Sequence, residues 1–184
     1  MLRPVPLRRP LLALLLACAL LAGATACGSD DKDSGASSSA SPSATSSAQA
    51  QKWAKTRFVA NAGLAAGATY QWIVKPYRAG KFKKGADGRT LALVKAGLAG
   101  GFAYNRLKAA TENAKGDPLL SKAVAPLTAG IASLKGLGTK LRKGEAGAGD
   151  IGMFEDVISG IKDAGKSAGA EVKDKVPSTS QLGG

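Results

Sequence analysis

The chain has 184 residues, 26 of them Lys or Arg against 13 Asp or Glu, for a formal net charge of +13 at neutral pH. It contains no histidine and two cysteines. The missing histidine excludes the usual general base, the Ser-His and Cys-His nucleophile pairs and the common transition-metal sites, while the cationic excess suits anionic partners.

Taken from the start, Arg3, Arg8 and Arg9 precede an uncharged run from Leu11 to Ala22, followed by Gly23-Ala24-Thr25-Ala26 and Cys27. A positive segment, an apolar core and small residues make a secretory signal over residues 1–26. The apolar run is about a dozen residues, short of the roughly 20 that a helix needs to cross a hydrocarbon core. Arg8-Arg9 also loosely matches a twin-arginine signal, although so apolar a run suits the general secretion route better.

Small residues followed at once by cysteine resemble the lipobox of bacterial lipoproteins. The resemblance implies that Cys27 receives a diacylglyceryl group, becomes the mature N-terminus and holds the protein at the outer face of the cell membrane. Ala24 stands where that pattern usually has leucine, and Ala24-Thr25-Ala26 also satisfies the ordinary A-x-A cleavage rule, which would release a secreted protein. Cys18 lies within the signal, so the mature chain keeps one cysteine and no internal disulfide is expected.

Residues 28–50 read GSDDKDSGASSSASPSATSSAQA, nearly devoid of large apolar side chains. Such a segment cannot offset its ordering entropy, so residues 27–50 are expected to form a disordered tether. A flexible coil of that length reaches roughly 25 Å. An O-glycosylated stalk has the same composition.

Residues 51–176 are rich enough in apolar side chains to form one domain. Abundant alanine, few prolines and apolar spacings of three and four predict an all-α fold, a small antiparallel bundle of about four helices. The first covers residues 51–75 and ends near Pro76. The second covers residues 89–114. The third opens with Asp117 as N-cap and Pro118 at the first helical position. Its apolar stripe is Leu120, Val124, Leu127, Ile131, Leu134 and Leu141, with Gly138 in the one missing slot, and Pro126 should kink or divide it. The fourth begins after Gly149, capped by Asp150, with Phe154, Val157, Ile158 and Ile161 on one side. Residues 177–184 are expected to be a disordered tail. An alanine-rich helical domain behind a Ser/Ala tether and a lipobox-like Cys27 broadly resembles the small lipoproteins of high-GC Gram-positive bacteria. That resemblance implies location, and no activity.

The segment from Ala62 to Tyr70 is similar to that from Ala96 to Tyr104, at an offset of 34 residues. Each places small residues on one helical face between larger ones. Glycine within a helix costs about 1 kcal/mol relative to alanine, so Gly63, Gly67, Gly97, Gly100 and Gly101 call for a reason. Close approach of the two backbones, glycine face to glycine face, is the simplest. Association within lipid is the alternative, opposed by Asn61, Thr69, Gln71 and Lys95.

Charge is concentrated in the first hairpin, where residues 51–108 hold twelve Lys or Arg against the single acid Asp87. The candidate anionic-surface residues are Lys75, Arg78, Lys81, Lys83, Lys84 and Arg89, interleaved with Tyr77 and Phe82. Either the aromatic rings sit at an anionic interface beside the cations, or the connection is a solvated loop whose rings fold back onto the bundle. The partners these residues suit are anionic lipid head groups, wall polymers or an acidic protein; nucleic acid is not expected outside a cell. The carboxylates Glu155, Asp156 and Asp163 lie along the fourth helix without a pocket to pair them. The sequence therefore reads as a non-enzymatic extracytoplasmic lipoprotein without metal or cofactor. The alternatives are a solute-binding lipoprotein holding a small apolar ligand and a membrane-active hairpin.

Overall fold

The computed structural model describes residues 42–183, with side chains from Ser47 onward. The signal, Cys27 and most of the tether lie outside the described residues. The described part is all-α, and no strand occurs in it.

Helix α1 spans Pro42–Thr69. It begins nine residues before the expected boundary at Gln51, a correction to the tether's length. Pro42 suits a first helical position. Alanine and glutamine then extend a helix already nucleated by packing at little further cost. A π-helical turn, Tyr70–Val74, carries α1 directly into α2, Lys75–Arg78. The helix was expected to stop before Pro76, because a proline ring clashes with the carbonyl four residues back. The π turn bonds the Lys75 N–H to the Tyr70 carbonyl instead, five residues back, and this widening displaces the obstructing group. The helix ends at Arg78.

Helix α3, Arg89–Ala114, has the expected bounds and runs antiparallel to α1. Ala54 lies beside Gly116, the Arg106 guanidinium donates to Asn61 Oδ1 at 3.3 Å, and Lys95 stacks on Trp72. The interface between α1 and α3 is largely alanine, with Ala62, Ala65 and Ala66 on one side and Ala96, Ala99 and Ala103 on the other, all buried. Such short side chains let two helices pack closely.

Asp117 caps α4, Pro118–Val124, accepting the Leu120 N–H at 2.9 Å. Only 3% of Asp117 is exposed, and Lys55 lies 3.6 Å from its carboxylate. Pro126 divides the third helix as expected, giving a 3₁₀ turn at Ala125–Leu127 and then α5, Thr128–Ser133. The chain breaks again at Gly136 before α6, Leu137–Lys143. Leu120, Val124, Ile131, Leu134 and Leu141 are buried, so the stripe survives both breaks.

Helix α7 spans Ala148–Ser167. Asp150 was expected as its N-cap but occupies the third helical position, where Oδ2 accepts the Gly147 N–H at 3.0 Å and Oδ1 accepts from Lys140 Nζ at 3.2 Å. The bond to the Gly147 backbone is the leading cause of a carboxyl pKa below its ordinary 3.8, with Lys140 contributing and partial burial opposing. Phe154, Val157, Ile158 and Ile161 are buried. Full burial of a side chain such as Phe154 contributes about 1.5–3 kcal/mol.

The carboxyl-terminal residues correct the expectation of a disordered tail. At the end of α7, Gly169 adopts φ +66, and the Ala170 N–H bonds back to the Gly165 carbonyl at 2.7 Å. This left-handed cap turns the chain back over α1. An extended strap over residues 170–177 follows, with Val172 and Pro177 buried and the Lys175 N–H bonded to the Gly63 carbonyl at 2.8 Å. The short α8, Thr179–Leu182, then packs Leu182 against α3. Ser178 and Gln181 cap it reciprocally. Four apolar anchors, Ala170, Val172, Pro177 and Leu182, thus outweigh a polar composition.

Candidate anionic-surface site

The connection over residues 79–88 is a chain of tight turns. The Ala79, Gly80 and Lys81 amides bond back to the carbonyls of Lys75, Tyr77 and Pro76 at 2.9–3.0 Å, and the Lys83 and Ala86 amides bond to those of Gly80 and Lys83 at 3.1 Å. Gly80, Gly85 and Gly88 take φ of +69, +82 and +68, which other residues adopt only with strain. The loop is therefore defined by its backbone, and its side chains project from fixed positions.

Of the two readings of the aromatic pair, the structure takes the one in which the rings fold back. Tyr77 and Phe82 meet edge to face, with centroids 6.1 Å apart, and both are half-buried against the core. The six candidate cations also divide. Arg78 pairs with Glu155 on α7, an exposed contact worth at most about 1 kcal/mol. Arg89 donates through Nε to the Phe82 carbonyl at 3.1 Å and closes the loop onto α3. Lys75, Lys81, Lys83 and Lys84 are exposed and take part in no ion pair among the described residues.

Lys75 and Lys81 edge an open cleft of about 400 Å³ whose opposite wall is α3, with Leu91, Ala92 and Lys95. Trp72 lines it, and the Lys95 ammonium stands 5.3 Å from the centre of the indole ring. The Trp72 Nε1 and the hydroxyl of Thr69, at the entrance to the π turn, are buried with no partner among the described residues. Leaving such a group unbonded costs roughly 1–3 kcal/mol. Trp72, Leu91 and Lys95 were not among the candidate residues. Their signal was faint: Leu91 and Lys95 are one turn apart on α3, off its buried stripe.

The glycines of the internal repeat do approach other backbones closely, but not each other's. The nearest atom to a Cβ at Gly63 would be the Lys173 carbonyl oxygen at 2.5 Å, and at Gly67 it would be that of Lys175. On α3, Gly97 and Gly100 face Gly138 of α6, whose own Cβ would lie 2.8 Å from the Gly97 oxygen and the Gly101 nitrogen. The glycine faces offered for association within lipid are thus covered by the chain itself. No helix among the described residues is long and apolar enough to cross a membrane, and no group of three or more potential metal ligands assembles among them.

In comparisons with known proteins, the chain matches no family model, no curated protein and no solved structure.

Proposed function

We propose that this chain is a non-enzymatic, extracytoplasmic lipoprotein, anchored through Cys27, whose α2–α3 connection contacts an anionic envelope component or an acidic partner. The observation that carries the reading is the group Lys81, Lys83 and Lys84, exposed and unpaired on a backbone fixed by turns. Cations carried on a defined backbone meet an anionic surface without first giving up an internal partner or ordering the loop.

Binding of the mature protein to phosphatidylglycerol vesicles and to purified anionic wall polymer tests the reading. Near an anionic surface each lysine contributes about 1 kcal/mol, so replacing all three by alanine weakens binding on the order of a hundredfold, and added salt weakens the parent in the same direction. Binding indifferent to salt or to the triple replacement overturns the surface assignment. The anchor has its own test: intact-mass measurement of the native protein shows a lipidated Cys27, and an unmodified N-terminal cysteine overturns that part.

A further inference from the structure

We infer that the cleft between α2 and α3 is a binding site for a small amphiphilic anion, an apolar body ending in a carboxylate or phosphate. Three observations converge there. Leu91 is 59% exposed on the cleft wall, beside Pro76, Ala79 and Ala92, which leaves an apolar floor open to solvent. Lys75, Lys81 and Lys95 surround that floor against one carboxylate, Asp87, and none of them is ion-paired among the described residues. Trp72 adds an aromatic wall with a cation 5.3 Å from the centre of its ring.

Each part selects a feature of the ligand. A purely inorganic anion would use the lysines and leave Leu91 in water. A purely apolar ligand would cover Leu91 and bring three unpaired ammonium groups toward a poorly hydrated body, which costs free energy. An apolar chain with an anionic head uses both, and about 400 Å³ is within the range of small-molecule sites. The inference stands on the cleft walls and requires neither the lipid at Cys27 nor surface contact through Lys83 and Lys84.

Replacing the exposed Trp53 by phenylalanine leaves Trp72 as the one tryptophan of the chain, and its fluorescence then reports on the cleft. The W53F protein is titrated with decyl phosphate below its micellar concentration, with inorganic phosphate, with decyl maltoside and with phosphatidylglycerol vesicles. A saturable one-site response to decyl phosphate is expected. Lys95→Ala and Leu91→Ser should each weaken it about tenfold, the scale of one charge-assisted or well-buried contact, with helicity by circular dichroism unchanged. Lys83→Ala with Lys84→Ala should leave it unaltered. If the vesicles give the same response and decyl phosphate competes with them, the ligand is a lipid head group with its chain. If the vesicles are silent, it is a free amphiphile. No saturable response, an equal response to inorganic phosphate or decyl maltoside, or affinities untouched by Lys95→Ala and Leu91→Ser overturns the inference. Lys81 belongs to both proposals, so they are separated by the double variant Lys83→Ala with Lys84→Ala, which should weaken surface contact alone, and by Lys95→Ala and Leu91→Ser, which should weaken cleft binding alone.

Discussion

The two halves of the internal repeat lie opposite one another in the α1–α3 hairpin, yet their glycines serve different neighbours. Gly63 and Gly67 on α1 seat an extended strap, held there by a backbone bond from Lys175 to Gly63. Gly97 and Gly100 on α3 seat a helix, α6, through Gly138. Similar sequence therefore encodes the depth of a groove and not its occupant. What fills each groove is set elsewhere, by the left-handed cap at Gly169 that sends the strap across α1 and by the break at Gly136 that re-aims α6.

The difference predicts unequal responses to the same mutation. Gly138→Ala drives a Cβ into the α3 backbone with no side chain able to yield, so it should destabilise the protein by about 2–3 kcal/mol in urea unfolding, and equally so in a chain ending at Ala170. Gly67→Ala meets the strap, which can leave. It should cost about 1–2 kcal/mol in the full chain, with faster proteolysis after residue 170. In the chain ending at Ala170 the sign should reverse, to a gain of up to about 1 kcal/mol from helix propensity. An equal cost of Gly67→Ala in both chains would sink the comparison.

Gly101 supplies the control, since a Cβ there meets nothing within 4 Å. Gly101→Ala should raise stability by up to about 1 kcal/mol, read as a small increase in Tm. Smaller again are the ionic ties. Asp150 links α7 to Lys140 on α6, and its folded pKa is lowered. Its contribution is therefore complete above the unfolded value and is lost as pH falls through the lower folded value. Asp150→Asn should cost about 0.5–1 kcal/mol at neutral pH and remove that part of the acid dependence below about pH 4. On the strap side, Asp174 pairs with Lys162 at 2.5 Å in the open. Asp174→Asn should change stability by less than about 0.5 kcal/mol.

Local signals with a mechanism were legible in the sequence. The Asp117-Pro118 start, the division at Pro126, the bounds of α3 and the buried side of α7 depend on neighbouring residues alone. Gly138 appeared as a gap in an apolar stripe, and the structure supplies its reason in the α3 backbone. The strap was not legible, because its anchors, Val172, Pro177 and Leu182, sit within polar sequence at no helical period and gain their burial only from a distant partner. The π turn was missed for a similar reason: a proline signals an obstruction but not how the preceding turn absorbs it. At the candidate site, composition revealed the lysines but not which would be used internally. That Arg78 faces Glu155, 77 residues away, and that Lys95 covers Trp72 are facts of tertiary placement.

From Pro42 to Arg78 the chain is helical without a break. At about 1.5 Å per residue this makes a stiff rod of roughly 50 Å. The basic connection and its cleft occupy the Arg78 end. The rod thus works as a spacer: whatever meets Lys83 and Lys84 is held roughly 50 Å from the start of the helix at Pro42.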